Sequence, residues 1–150
     1  MIEEKNIFLN VDLNSKDEVL EFISKKAMEL NISNSFEILI YDLREREKEF
    51  STGIQDGFAI PHAKSETVLF PNIFFIKTIN AIKWETLDDS DVNCIFAILV
   101  PKENENNIHL QMIAKLSVCL LEDDFKEKIK TLDDVKELKE YILRIMEEEI

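Results

Sequence analysis

The sequence predicts an α/β (α+β) fold, a mixed β-sheet covered by helices, in a single domain over residues 1–150. Two nearly continuous apolar runs at 73–79 and 92–100 are rich in β-branched and aromatic residues, as in strands that are covered on both faces. A shorter strand is expected between them at 81–84. Segments with helical apolar spacing lie on both sides of these runs along the chain, so the predicted order is one strand, two helices, several strands and three helices.

The first fifty residues predict a strand and two helices. Apolar side chains recur at every second position from residue 7 to residue 13, as in a strand. Ser15 and Glu18 form a capping box that begins the first helix. The polar segment 31–34 interrupts that helix and is expected to cap the second one, whose apolar stripe ends at Leu43. Arg46 follows on the same face, where it can snorkel, pair with an acidic neighbour or point toward the next segment.

A loop with a function is predicted in the middle of the chain. The only two glycines, Gly53 and Gly57, lie in it, followed by Pro61 and His62. Glycine permits backbone conformations and close contacts that a Cβ forbids, while proline fixes its own φ and favours an extended residue before it. The loop is therefore expected to end by presenting His62, with a short strand at 58–60.

Three helices are predicted to follow the last strand. Asn106 or Asn107 is expected to cap the first of them, in which His109 lies in the first turn on the inward, apolar face. A short helix is expected at 123–130. Thr131 is then expected to cap the last helix.

Composition excludes several classes of function. The 31 acidic and 18 basic residues give a formal net charge of −13, which disfavours nucleic acid, because phosphate contacts need lysine and arginine, and favours a partner with a basic face. No apolar run approaches the roughly 20 residues that span a bilayer, and the acidic N-terminus lacks a signal-peptide pattern. We therefore expect a cytoplasmic protein without membrane insertion. Cys94 and Cys119 lack metal-type spacing and are expected to be buried thiols, and no metal or other cofactor is predicted.

His62 is the residue that best fits nucleophilic chemistry. An imidazole can attack phosphorus to give a phosphohistidine, provided that the phosphoryl oxygens are stabilised. Suitable groups are the backbone N–H groups of a glycine-shaped loop, hydroxyls, a second imidazole and a guanidinium. The sequence offers one set of each type: Gly53 and Gly57, Ser51 and Thr52, His109, and Arg46. From the residues alone, His109 fits a core histidine as well, and neither a Walker-type loop nor a metal site is supported.

Several motifs resemble one family. They are Arg46, Ser51-Thr52-Gly53-Ile54, Gly57, Ala59-Ile60-Pro61-His62 and Lys64, followed by Trp84-Glu85 with Leu87-Asp88, a strand ending in Val100-Pro101, and a helix that carries His109-Leu110 and Ile113-Ala114. In this pattern the chain is similar to enzyme IIA domains of the fructose–mannitol class of the bacterial phosphoenolpyruvate-dependent sugar phosphotransferase system. The resemblance spans nearly the whole chain and is nearest to fructose-like members. The family pattern often has glycine where this chain has Phe50, Gln55 and Ala63.

The resemblance implies a transport phosphocarrier. His62 would accept a phosphoryl group from phospho-HPr and pass it to a cysteine of a cognate enzyme IIB, which serves the membrane subunit, enzyme IIC. His109 would support the phosphoryl group without carrying it, and Arg46 would neutralise its charge. The alternative is a regulatory phosphoprotein of the nitrogen type, whose phosphorylation state controls its binding to a protein target.

Overall fold

The computed structural model describes residues 2–103 and 107–148, without the side chains of residues 108, 109, 147 and 148. The helices and strands are β1 (Ile7–Val11), α1 (Lys16–Glu29), α2 (Phe36–Glu49), β2 (Phe58–Ala59), β3 (His62–Ser65), β4 (Asn72–Ile82), β5 (Val92–Pro101), α3 (Ile108–Cys119), α4 (Asp123–Thr131) and α5 (Val135–Glu148). A 3-10 turn over Glu4–Asn6 precedes β1. This order, one strand, two helices, four strands and three helices, confirms the predicted fold class.

The sheet is mixed, in the order β1-β4-β5-β2, and β3 also pairs with β5. β4 and β5 are antiparallel, whereas the other pairs are parallel. Ala59 pairs with Ile95 and His62 with Ile98, so β2 and β3 follow β5 in one register. Pro61, which has no N–H, stands where these two strands meet. His62 therefore opens a strand that the sequence did not predict, because the four polar and small residues of β3 show no apolar alternation.

Helices cover both faces of the sheet, as the two apolar runs predicted. Side chains of β4 and β5 alternate between two buried clusters. Phe74 and Ile95 belong to the cluster beneath α1 and α2, while Phe75 and Phe96 belong to the cluster beneath α3, α4 and α5. The β3 strand packs against α2, and its Ala63 belongs to the cluster beneath α1 and α2.

The helix starts agree with the sequence in part. Ser15 Oγ accepts from the N–H of Glu18 at 3.1 Å, which confirms that cap, while the Glu18 carboxylate accepts from Asn14 rather than from Ser15. The α2 cap is Ser35, one residue beyond the predicted segment, and its Oγ accepts from Ile38 at 3.2 Å.

Two further boundaries differ from the prediction. Thr131 is the last residue of α4 and does not cap α5. The Asp134 carboxylate accepts from the N–H of Glu137 at 3.0 Å and serves that helix. Asn107 precedes α3 without a side-chain cap bond, and Asn106 lies outside the described residues. The expected strand at 81–84 is only the end of β4, which stops at Ile82.

Candidate functional site

The His62 ring lies between one acceptor and one donor. Its Nδ1 is 2.8 Å from the carbonyl oxygen of Ile60, and its Nε2 is 3.1 Å from Nε of Arg46. A carbonyl oxygen only accepts and a guanidinium only donates, so the hydrogen bonds assign the proton to Nδ1 and a lone pair to Nε2. The half-buried ring therefore directs its nucleophilic nitrogen toward the guanidinium.

Arg46 comes from the last turn of α2, one turn after the buried Leu43. Of the three orientations that the sequence allows, the structure has the one that points toward the following segment. Besides His62, the guanidinium contacts the carbonyl of Phe50, to which Nη1 donates at 2.7 Å. This second bond holds the guanidinium beside the ring because it ties the side chain back to the end of its own helix.

These two residues line a cleft of about 460 Å³ between α2, β3 and α3. Its other lining residues are Asp42, Glu45, Glu49, Ala63, Lys64, Leu110 and Ile113. The lining of this cleft thus combines three carboxylates, two cations and one imidazole. A larger cleft of about 550 Å³, between α1, α2 and the segment after β4, is lined mainly by ion-paired side chains and does not include His62, so size alone does not locate the site.

His109 belongs to the first turn of α3, but its side chain lies outside the described residues. Leu110 and Ile113 line the cleft, so the start of α3 borders it. The structure therefore brings the backbone segment that carries His109 to the His62 cleft. Ile113 follows His109 by four residues, about one helical turn.

The polar groups of the predicted phosphoryl-stabilising loop have other partners. Ser51 Oγ donates to the carbonyl of Glu85 at 2.6 Å and accepts from the N–H of Gly53 at 3.2 Å. Thr52 donates twice to Glu47, from its N–H at 2.8 Å and from its Oγ1 at 2.6 Å. In the part of the chain that the structure describes, neither Ser51, Thr52 nor Gly53 is among the residues that line the cleft.

Whereas His62 opens β3, Gly57 lies directly before β2. Its N–H donates to Ser90 Oγ at 3.2 Å, and its carbonyl accepts from Asn93 and Cys94 at the start of β5. At about 3.3 Å per residue along a strand, five residues place it roughly 16 Å from the imidazole. The structure therefore does not bring Gly57 to the cleft.

Both glycines nevertheless have a steric reason to be glycine. A Cβ on Gly53 would clash with the carbonyl oxygen of Glu85 and lie 2.8 Å from Cδ1 of Trp84, so only glycine allows the loop to approach the segment after β4. Gly57 has a φ of +86°, which side chains disfavour. As the sequence predicted, both glycines shape the loop. Gly53 permits a close contact, and Gly57 adopts a left-handed backbone conformation.

The sequence assigned no role in the site to two charged residues, Glu47 and Lys64, although Lys64 is part of the motif that resembles the family. Glu47, which follows Arg46 in the sequence, accepts two hydrogen bonds from Thr52. Lys64 lies in β3 and lines the cleft. Lys64 follows His62 by two positions, so in a strand both side chains lie on the same face of the sheet. This relation can be read from the sequence once β3 is known to be a strand.

The two cysteines are buried, as predicted, and Cys94 is fully enclosed in β5. Burial raises the pKa of the Cys94 thiol to about 11. Among the described side chains, no group of three from histidine, cysteine, aspartate or glutamate could hold a metal ion. Among the described helices, none is long and apolar enough to cross a bilayer.

Comparisons with known proteins agree on one family. The family model described as "Phosphoenolpyruvate-dependent sugar phosphotransferase system, EIIA 2" matches residues 1–145. A fructose-specific EIIABC component from Mycoplasma pneumoniae is 34% identical over 121 residues, 81% of this chain but only 17% of that protein. A fructose-specific EIIA component from Haloferax volcanii is 29% identical over 89% of this chain and 86% of its own length.

A solved structure extends the similarity to three dimensions. The nitrogen regulatory protein IIA-Ntr from Neisseria meningitidis superposes with a TM-score of 0.85 at 28% identity, over 96% of this chain and 94% of that one. The likeness therefore extends over nearly the whole chain.

Proposed function

The chain belongs to the phosphoenolpyruvate-dependent sugar phosphotransferase system EIIA 2 family, and we propose that His62 is the residue that carries its phosphoryl group. The observation that carries the proposal is the pair of hydrogen bonds on the His62 ring, which leaves the lone pair on Nε2 beside a guanidinium. An acceptor of a phosphoryl group needs both features, a nucleophilic lone pair and a nearby positive charge.

The transfer begins with attack of His62 Nε2 on the phosphorus of phospho-HPr. The new P–N bond forms as the bond between phosphorus and the donor breaks, and its electron pair leaves with the donor. The ring becomes more positive, and the Ile60 carbonyl, which accepts from Nδ1–H, stabilises that charge. Positioning and charge stabilisation are the main requirements of such a transfer.

Arg46 exchanges partners during this step. Its Nε donates to the same lone pair that must attack, so the guanidinium turns from the ring to the phosphoryl oxygens, while Nη1 keeps the Phe50 carbonyl. A planar guanidinium can bind two of those oxygens at once. Lys64 supplies a second positive charge, and His109 a further N–H donor from the start of α3.

The loop residues act on this site by shaping it. Ser51, Thr52, Gly53 and Gly57 hold the backbone that leads into β3, through the bonds to Glu85, Glu47 and Ser90. The second transfer passes the phosphoryl group to a cysteine of a cognate enzyme IIB. Fructose is the first sugar to test, because the relatives from Mycoplasma pneumoniae and Haloferax volcanii are named fructose-specific.

His62→Ala should not be phosphorylated when the protein is incubated with phosphoenolpyruvate, enzyme I and HPr. Intact-protein mass spectrometry measures the added phosphoryl group, which should be lost in acid and retained in alkali in the wild type, as in a phosphoramidate. Circular dichroism should show an unchanged fold for the variant. Normal phosphorylation of a folded His62→Ala protein would contradict the assignment.

A second candidate function is regulatory. It is favoured by the similarity to the Neisseria meningitidis nitrogen regulatory protein, which spans both chains almost completely. The test offers the phosphorylated protein to candidate enzyme IIB proteins. Transfer to an enzyme IIB cysteine supports transport, whereas a stable phosphoprotein that gains or loses a protein partner on phosphorylation supports regulation.

A further inference from the structure

Resting on the proposed function, we propose that Glu47 is a positioning residue that holds the His62 ring in its reactive tautomer through a chain of hydrogen bonds. The chain runs from the Glu47 carboxylate through Thr52 and Ile60 to Nδ1 of His62. Glu47 is adjacent to Arg46 in sequence, so consecutive residues of α2 act on opposite nitrogens of one ring.

The first link is the pair of hydrogen bonds between Glu47 and Thr52. The two carboxylate oxygens accept from the N–H and the Oγ1 of Thr52, at 2.8 and 2.6 Å. The Glu47 side chain is only 7% exposed, and the ammonium of Lys16 lies 3.3 Å away. Hydrogen bonds to a carboxylate that is largely shielded from water are stronger than those between neutral groups, so this grip fixes the Thr52 backbone.

The second link joins Thr52 to Ile60. The Thr52 carbonyl accepts from the N–H of Ile60 at 2.9 Å, and an isolated bridge between Gly53 and Ala59 lies beside it. Ile60 is buried, at 4% exposure. The loop segment thus pairs with the chain just before His62 as a strand would, and this pairing holds the peptide group between Ala59 and Ile60.

The third link joins Ile60 to the imidazole. Its carbonyl accepts from Nδ1–H of His62 at 2.8 Å, across the intervening Pro61. Proline fixes its own φ, so the direction of the Ile60 carbonyl relative to the ring has little freedom once Ile60 itself is held. With the proton kept on Nδ1, the lone pair stays on Nε2, where the phosphoryl group must bond.

The experiment compares Glu47→Gln with Glu85→Gln. The glutamine amide offers one acceptor oxygen where Thr52 presents two donors, so the grip is weakened. Glu85 is the matched control because its carboxylate contacts the same Lys16, at 2.7 Å, but is 77% exposed and accepts nothing from Thr52. Each variant removes one carboxylate charge beside Lys16. Only Glu47→Gln disrupts the chain of hydrogen bonds that leads to His62.

The readout is the tautomer of His62, from long-range proton–nitrogen NMR correlations of the neutral ring, with signals assigned in a His109→Gln background. The wild type and Glu85→Gln should show a protonated Nδ1 and an unprotonated Nε2. Glu47→Gln should show a measurable share of the opposite tautomer and a rate of phosphorylation by phospho-HPr lower by about tenfold. A loss of stability alone would not move the tautomer of the folded protein.

A folded Glu47→Gln protein with the wild-type tautomer would overturn the proposal. If that variant does not fold, Thr52→Val removes only the Oγ1 donor, with Thr52→Ser as its control. Thr52→Val should shift the tautomer in the same direction and by less, and wild-type behaviour in it would overturn the proposal equally. If the wild type is not phosphorylated at all, the proposed function fails, while the tautomer still decides the role of Glu47.

Discussion

The guanidinium of Arg46 contacts two acceptors, Nε2 of His62 and the carbonyl of Phe50. Arg44, two residues earlier on α2, makes a bidentate ion pair with Asp17, at 2.8 Å for both bonds. The two arginines share a helix and a charge, but Arg44 faces carboxylates, whereas Arg46 faces an imidazole and a carbonyl. Arg44 is therefore a matched control for the chemistry of Arg46.

Arg46→Lys should slow phosphoryl relay by about tenfold or more, about 1.4 kcal/mol of transition-state stabilisation, because lysine keeps the charge but loses the planar fork. Arg44→Lys should relay at nearly the wild-type rate. Stopped-flow or quenched-flow transfer from phospho-HPr measures both, and thermal unfolding should show little change for Arg46→Lys. Equal rates in the wild type and Arg46→Lys would reduce Arg46 to a helix-terminal residue.

Cys94 should be unreactive in the folded protein. Burial raises the pKa of its thiol to about 11, so at mildly alkaline pH it is mostly protonated, whereas the nucleophile in alkylation is the thiolate. In a Cys119→Ser background, iodoacetamide should label Cys94 at mildly alkaline pH only after denaturation. Fast labelling of the native protein would contradict the burial of β5.

The raised pKa of Cys94 also makes the stability of the protein depend on pH. The ordinary thiol pKa is 9.0, so between that value and about 11 the unfolded state loses its proton while the folded state keeps it. The contribution of Cys94 to stability is therefore constant below pH 9 and falls as the pH rises through this window.

At the level of elements, α3 completes the cleft that α2 and β3 begin. Leu110 and Ile113 bring its first turn to His62, and His109 lies in the same turn. The sequence leaves two roles for His109, packing in the core and donation to the phosphoryl group. Only variants that separate bulk from hydrogen bonding can distinguish them.

His109→Ala should fold with modest destabilisation and relay poorly in one or both transfer steps, whereas His109→Gln should recover part of the rate because it keeps a donor and similar bulk. The His109 ring should also titrate at higher pH when His62 is phosphorylated, because a nearby dianion favours the protonated imidazole. Histidine NMR titration with and without the phosphoryl group measures this. An unchanged midpoint, together with full-speed relay by His109→Ala, would make His109 a core residue.

The strand β3 shows why short elements depend on their partners. His62–Ser65 carries no apolar alternation, yet it pairs with Ile98–Pro101 in parallel register. A strand of four residues is stabilised by the neighbour that supplies its hydrogen bonds, and β5 is nearly continuous in apolar residues on both faces. The position of the proposed phosphoryl acceptor is therefore fixed by β5 rather than by its own sequence.

For the whole molecule, the dominant electrostatic fact is the net charge of −13. Several ion pairs lie on the surface, such as Lys48–Glu45 and Lys5–Glu3, and exposed pairs contribute little. The excess of negative charge opposes the compact state through repulsion. Dissolved salt screens this repulsion over a distance of about 8 Å at physiological ionic strength.

The melting temperature should therefore rise by a few degrees when sodium chloride is raised from a low concentration to about 0.15 M, where screening is strong. Differential scanning calorimetry measures the change, and potassium chloride should give the same result because the effect is not specific to one ion. A melting temperature that falls with salt would show that attractive ion pairs outweigh the net repulsion.

The sequence by itself determined the fold class, the helix faces and the residues worth testing. Apolar spacing is a local property, so it identifies which side of α1 or α2 is buried without knowledge of the partner. The two glycines, the Pro61–His62 pair and the resemblance carried by their segment likewise pointed to His62 and Arg46. Local capping was less certain, since Ser15 was predicted correctly but Asp134 takes the place expected for Thr131.

Only the tertiary structure decided which groups meet. His62 and Arg46 are 16 residues apart, and their contact depends on how α2 packs against a strand whose register is set by β5. The same packing brings Thr52 into hydrogen-bonding distance of Glu47, while Gly57 lies before β2 and contacts the start of β5. A sequence pattern repeats along one element and determines which of its faces is buried. A site forms between elements, and its distances are set by sheet register and helix packing. Neither can be read from a single segment.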